Sequence, residues 1–480
     1  MAPAPRSPRP RRDGARAARP GPLDELFTSI LADPVRDRCP LARPVVSFAL
    51  DDADPYLRSI ETAAVRAVSL ERRGAYHGEW AELDPLRLPQ HLRGELEPDP
   101  DAYEAELTRR WHAARPVVLH GVLRPLLAPF AADVDERDAL RESLSHEGGL
   151  RRFLDEHASV LEPSFRALAK RTTLVDKERD VERVLLESFA PNGRGRPIED
   201  LWLKSSWLST HEDDASLRLR FSFGSERDDD ASRDILRHRL VAEIAARLLP
   251  ECATVTEHPA LVPLVERLCG ESVLFTQHIA YWNAPNGGAL FHHDAFAEDE
   301  LDGGSWRQFG VCYAQLTGAT AWLALSTEDL ADRVVEFHTA LTEGETPWVR
   351  AQLLDGPRAA IPGGAERVLS LVKDRERLVS ELALPGQGCL GPLVNRGPEF
   401  TSFLADAGHA FVLEAGDVIL LPNHGPRATC MHSVFCASDE TAYSLSLAVR
   451  PDRESPEDLE ARAERGRRGG SHGRSTQDRA

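Results

Sequence analysis

The sequence has no C-x-x-C pair, and its seven cysteines, at positions 39, 252, 269, 312, 389, 430 and 436, are scattered and odd in number. That usage indicates neither a disulfide framework nor a zinc ribbon, and it fits a reducing cytoplasm best. Nor is there an excess of positive charge: the formal net charge is −19. Binding to nucleic acid or to an anionic membrane rests on neutralising phosphates with Lys and Arg, so neither is an expected partner. No eighteen apolar residues run together, and no apolar stretch follows the Arg- and Pro-rich N-terminus MAPAPRSPRPRRDGARAARPGP. Neither a membrane-spanning helix nor a secretory signal is read there, and the prolines oppose the amphipathic helix of a transit peptide. No internal repeat is evident.

What is present is a chain of 480 residues, 42% apolar, long enough for two or three domain-sized units. Residues 1–22 read as a disordered basic tail and 453–480 as a disordered charged one. Residues 23–195 read as a helical domain, because Leu57, Ile60, Ala64 and Val68, and later Val181, Leu185 and Phe189, recur at helical spacing. Gly74, Gly148-Gly149 and the linker-like PNGRGRP at 191–197 supply its stops, which puts a domain boundary near 195.

The period then changes. In SLRLRFSF (216–223), Leu217, Leu219, Phe221 and Phe223 share one face, and Arg218, Arg220 and Ser222 the other. This predicts a strand whose basic stripe is a solvated face, the commoner reading, set against one in which Arg218 and Arg220 meet an anionic substrate. A helix follows at about 230–249, and another opens at His258-Pro259. Eight strands are then predicted, at 272–282, 288–294, 308–316, 319–325, 409–414, 417–421, 431–436 and 441–449. Eight short strands are what a cupin or jelly roll requires. The fold expected is therefore α+β: a helical N-terminal domain, then a double-stranded β-helix (cupin/jelly-roll) domain over 196–452. A long helical insert, at about 326–407, carries helices near 327–340 and 365–380.

A mononuclear iron site can be built from two histidines and one carboxylate, which leave three octahedral positions open. H-x-D is the usual source of two ligands, since residues i and i+2 of a strand point to one side. Chance alone gives roughly three H-x-[DE] pairs in a chain of this composition, and three occur: His77/Glu79, His211/Asp213 and His292/Asp294. Context separates them. His77 lies in the polar stretch GAYHGEWAE, and His211 opens the acidic run HEDDAS. His292 ends an apolar strand after a Gly-Gly turn, and a second strand-borne histidine, His432, follows 140 residues later. His292, Asp294 and His432 are the candidate ligands, set against a reading in which they are ordinary histidines near a barrel mouth. His293, between the first two, points to the opposite side of the strand and is expected to be structural.

Over about 258–450 the sequence resembles a known family. GALFHHDAF followed by QFGVCYAQLTGATAWLAL looks like the JmjC or cupin-like 2-oxoglutarate oxygenases, whose H-x-D precedes a strand ending in Gln, a Gly turn and a Trp-containing strand. Gln315, Gly318 and Trp322 match, and GDVILLP leading to His432 is similar to the segment before that family's distal histidine. HPALVPLVERLCGESVLFTQHIAYWNAP resembles the phytanoyl-CoA-hydroxylase-like branch of the same superfamily. The resemblance implies Fe(II) and 2-oxoglutarate as cofactors and hydroxylation of an unactivated C–H, in a protein side chain or a small molecule.

The departures fall on the oxoacid clamp. The family's lysine after the Gly turn is here Thr320, and the arginine ten residues beyond the distal histidine is Ala442, although Ser444 is retained. Arg450, on a strand face with Ser444, Ser446 and Ala448, remains as the cation able to pair with a dicarboxylate. Tyr281, Ser444 and Thr320 are candidate helpers; Asn283 alternates with Tyr281, and His424 and Arg427 are candidates for the mouth. No catalytic side chain is expected beyond the metal ligands. Two other readings stay open: a cupin metalloenzyme that does not use 2-oxoglutarate, which the missing Lys and Arg favour, and a non-catalytic cupin binding protein, which an intact triad opposes.

Overall fold

The computed structural model describes residues 100–119, 121–128, 134–161, 168–171, 180–188, 198–208, 215–223, 235–285, 287–295, 308–343, 354–355, 361–396, 400, 403–404, 407, 409–438 and 440–452. Both tails, the segment 23–99, His77 and His211 lie outside the described residues. The protein is a mixture of helix and antiparallel sheet. In chain order the strands are β1 (Val117–Leu119), β2 (Leu168–Arg171), β3 (Asp180–Ser188), β4 (Ile198–Trp207), β5 (Leu217–Phe223), β6 (Val273–Asn283), β7 (Gly288–His292), β8 (Gly310–Thr317), β9 (Ala319–Ser326), β10 (Ala410–Glu414), β11 (Val418–Pro422), β12 (Cys430–Cys436) and β13 (Ala442–Pro451). They form a nine-stranded sheet, β1-β11-β8-β13-β6-β5-β4-β3-β2, and a four-stranded one, β10-β9-β12-β7. No helix among the described residues is long and apolar enough to cross a membrane.

Burial explains the strand sequences. Strands β9, β11, β12 and β13 are covered on both faces, so they read as nearly unbroken apolar runs. On the inner side, Tyr313, Trp322, Ile419, Leu421 and Val434 form a core between the sheets. The outer face of the larger sheet, with Leu217, Leu219, Phe221, Leu445 and Leu447, packs on the helices Pro100–His112, Gly149–Glu156, Ile235–Leu248 and Leu261–Cys269. The outer face of the smaller sheet, with Leu323, Leu325, Met431 and Phe435, packs on the insert helices Thr327–Thr342, Gly364–Val372 and Arg375–Leu382. Gly318 (φ 66°) and Gly416 (φ 95°) make the tight turns β8–β9 and β10–β11, where a Cβ is disfavoured.

Three expectations are corrected. Val181 and Leu185 lie in strand β3, not in a helix: a spacing of four residues is also a multiple of the two-residue strand period, so it does not discriminate. The boundary near 195 falls inside a hairpin, because β3 pairs antiparallel with β4 and both join the larger sheet; β1 and β2 add to it as well. Residues before 195 are thus not a purely helical unit. Within the insert, the single helix expected at 365–380 is two helices, the second starting where the Asp374 side chain accepts from the Arg377 N–H.

His278 is 1% exposed, with neither ring nitrogen hydrogen-bonded among the described residues, and burial pushes its pKa down to about 4. An unfolded imidazole titrates near 6.5, so the unfolded chain binds the extra proton between those values. Stability is therefore fully present above about pH 6.5 and lost as pH falls towards about 4. Melting temperatures measured from pH 7 to 4 should fall less steeply for His278→Phe than for the wild type; parallel profiles would exclude this residue as a cause.

Candidate metal centre

Strand β7 pairs antiparallel with β12 so that His292 lies directly opposite His432. This closeness depends on Gly288: a Cβ there would collide with the Val434 carbonyl and the Phe435 Cα. Alternation then directs the side chains. Phe291 and Met431 face the insert, whereas His432 shares a strand face with Val434 of the inner core. The two imidazoles have centroids 4.2 Å apart, and the Trp322 indole lies 5.7 Å from His432 at 30°.

Asp294 follows two residues after His292, just beyond the strand, where its main chain is held. Asn423 Nδ2 donates to the Asp294 carbonyl at 3.0 Å, and Asn423 itself bridges to Thr429 across the β11–β12 connection. His432 Nε2 lies 3.8 Å from Asp294 Oδ2, and one ligand atom from each of His292, Asp294 and His432 falls within 4.8 Å of the others. His292 Nδ1–H donates to the Leu290 carbonyl at 2.7 Å, and His432 Nδ1–H to the Cys430 carbonyl at 3.1 Å. Each bond selects the tautomer that leaves Nε2 with its lone pair, the arrangement that supports a metal ligand. Burial, reinforced by the neighbouring His292, holds the His432 pKa below its ordinary value against the pull of Asp294. A neutral imidazole is the ligating form. His432 is buried, but the Asp294 side chain is 40% exposed, so the cluster opens to solvent on the carboxylate side. Two nitrogens and one carboxylate oxygen can hold a divalent first-row ion.

The other candidates are distributed over the inner face. Arg450 is fully buried at the end of β13, in phase with Ser444, Ser446 and Ala448 and out of phase with the core residues Leu445, Leu447 and Val449. Its neighbour Val449 pairs with Gly310, which pairs with Pro422 at the start of the connection to β12; Arg450 is thus at the same end of the strands as His432. Ser444 is buried opposite Tyr281 and Gln315. The Thr320 hydroxyl donates to Gln315 Oε1 at 2.7 Å and accepts from Trp322 Nε1 at 2.9 Å, so its proton is committed. Tyr281 is hydrogen-bonded to Arg218; burial raises its pKa, with Arg218 opposing and Asp294 adding to the shift. Asn283 donates to the Tyr313 hydroxyl at 3.2 Å.

His293 points away, as expected, with Nε2–H donating to the Ala383 carbonyl of the insert at 3.0 Å. His424 donates to the Trp111 carbonyl and Arg427 to the Glu376 carbonyl, so both are turned towards neighbouring helices. Arg218 and Arg220 are half-buried rather than on a solvated face, because β5 pairs with β6 and carries them onto the side of Tyr281. Asn423 and Tyr313 were not singled out from sequence. A turn residue flanked by Pro and Gly, in PNHGP, marks the former, and strand phase with Gln315 the latter. No family model and no curated protein matches the sequence.

His292→Ala, Asp294→Ala and His432→Ala should each abolish tight binding of one Fe(II) per chain, measured anaerobically, whereas His293→Ala should retain it. Gly288→Ala should weaken Fe(II) binding at least tenfold by parting β7 from β12, with a stability loss of roughly 1–3 kcal/mol. Unchanged iron affinity in Gly288→Ala would show that the close approach of the two strands is not required.

Proposed function

We propose that β6–β13 are a double-stranded β-helix and that the protein is an Fe(II)- and 2-oxoglutarate-dependent oxygenase, hydroxylating an unactivated C–H of a protein side chain or small molecule. The observation that carries this is the pair of histidines on facing strands, each with Nδ1–H donated to a backbone carbonyl, with one ligand atom of each and of the Asp294 carboxylate within 4.8 Å of one another. The strand order supports the fold, since β6, β8, β11 and β13 fall in one sheet and β7, β9, β10 and β12 in the other, an alternation a single meander does not produce. The likeness in sequence to the JmjC and cupin-like oxygenases supports the same reading.

His292, Asp294 and His432 would hold Fe(II), leaving three adjacent positions for oxoacid and O2. The bound cofactors supply O2 activation coupled to oxidative decarboxylation of the oxoacid. The chain supplies position and dryness: Trp322, against the His432 ring, and Ala324, opposite it, belong to a buried apolar cluster with Leu421 and Val434. Asn423 fixes the main chain of the carboxylate ligand. Arg450 would pair bidentately with the distal carboxylate of 2-oxoglutarate, which needs a cation because an uncompensated buried carboxylate is strongly disfavoured. Ser444 and Tyr281 are the accessory polar groups of this reading. Thr320 has its proton on Gln315 and can only accept there.

That commitment of Thr320, together with the apolar Ala442, favours a second reading: a cupin metalloenzyme whose substrate chelates the metal directly, without 2-oxoglutarate. Anaerobic titration of the Fe(II)-loaded protein with 2-oxoglutarate separates the two, because chelation of iron by the oxoacid gives a visible charge-transfer band. The band is expected, and its absence from an iron-loaded protein would favour the second reading. Arg450→Gln should weaken 2-oxoglutarate by about 1.5–3 kcal/mol, the range for a hydrogen bond to a charged group, while sparing iron affinity. This is roughly ten- to a hundredfold in dissociation constant. Equal oxoacid affinity in the variant would remove Arg450 from the site.

A further inference from the structure

Strand β5 sits between β4 and β6, and the register sets Arg218 opposite both Ser206 and Tyr281, and Arg220 opposite both Lys204 and Ile279. On the next strand out, Arg183 of β3 lies opposite Lys204. The apolar partners Leu203, Leu217 and Leu219 are spent on the outer core, so these four cations share the other face, the one that carries Tyr281. Like charges directly opposite one another destabilise a sheet. Here Arg220 faces Lys204 and Lys204 faces Arg183 on three adjacent strands.

The surroundings are polar and aromatic. Arg218 Nε donates to Ser206 Oγ at 2.9 Å, Asp180 lies 3.3 Å from Lys204 Nζ at the outer edge, and Arg183 stacks over Trp202. Lys204 is 4% exposed, and its pKa is pushed down to about 8 by burial first, with Arg218 and Arg183 adding to the effect and Asp180 opposing it. The face runs towards the metal cluster. Arg218 bonds Tyr281, whose electrostatics register Asp294, and ring contacts continue through Tyr313 and Trp322 to His432.

We propose that this inner face of β4 and β5 binds an anionic group, a phosphate or carboxylate, of the primary substrate, gripped by Arg218, Arg220 and Lys204 and presenting the rest of the molecule to the metal centre. The assignment of the metal centre is that of the preceding subsection. Strand geometry gives the spacing: Arg218 and Arg220 are two residues apart along β5, roughly 7 Å, and Lys204 is one strand across from Arg220, roughly 5 Å, close enough for the three side chains to meet a single anionic group. It also separates this group from the oxoacid clamp. Arg450 is opposite Leu274 and Arg218 opposite Tyr281, seven residues along β6 or roughly 20 Å, beyond the reach of one five-carbon diacid.

The test is calorimetric titration of the full chain, free of metal, with inorganic phosphate and, separately, with succinate. At least one of these probes should bind saturably at one site. The dissociation constant should rise at least tenfold in the Arg218→Gln/Arg220→Gln double variant and in Lys204→Met, and stay within about threefold of wild type in Arg218→Lys and Arg450→Gln. Binding of neither probe, or equal binding in the double variant, overturns the proposal. 2-Oxoglutarate affinity of the iron-loaded double variant should be unchanged; a tenfold loss there would make the face part of the co-substrate site and overturn the substrate assignment. Iron stoichiometry is read on the same proteins. A wild type that takes up no iron refutes the metal reading and with it the placement proposed here, whereas intact iron uptake without anion binding refutes only the anion site.

Discussion

The close antiparallel approach of β7 to β12 is the contact on which the candidate site depends. Two strands must come together with no side chain between their backbones at Gly288, and only then does His292 stand opposite His432. The histidines then settle their own protonation chemistry by local means. Each donates Nδ1–H to the carbonyl two residues earlier, Leu290 or Cys430, so strand geometry alone presents both Nε2 atoms. A carboxylate two residues beyond His292 completes the set because the chain leaves the strand there and is caught by Asn423.

The layers behind the sheets keep this contact in place. The insert helices are packed against the smaller sheet and reach the metal segment directly: Gln387 Nε2 donates to the Phe291 carbonyl, and His293 donates to Ala383. Main-chain or ring atoms of residues 291, 293 and 294 are thus held from two sides, by the insert and by the β11–β12 connection. On the opposite flank Arg115, after the helix Pro100–His112, forms a bidentate pair at 2.7 Å with Asp329 of the first insert helix, linking the N-terminal segment to the insert. Rigidity of this kind is what a metal site needs if its ligands are to be spaced before the ion arrives.

The inner faces of the sheets divide the remaining chemistry between them. Next to His432 the lining is aromatic and apolar; further along β6 and β5 it becomes cationic. One continuous face therefore passes from the candidate ligand His432 through Trp322, Tyr313 and Tyr281 to Arg218.

All eight strands β6–β13 were readable in the sequence within a few residues, because strands buried on both faces leave long apolar runs closed by glycine turns. The pairing of His292 and Asp294 with His432 was readable too, since strand period and an apolar context single out one H-x-D of three. Period alone misled at β3, where apolar residues four apart satisfy helix and strand alike; pairing with β4 decided between them. The place of Arg218 and Arg220 was likewise beyond the sequence. Alternation shows that they share a face, but whether that face meets water or the metal side depends on which strand lies next to β5. The sequence by itself determined the apolar pattern, the turns and the ligand types, all of which are local. Tertiary structure alone decided strand neighbours, the burial of Arg450 and the commitment of Thr320 to Gln315, because these depend on contacts between residues that the chain brings together only when folded.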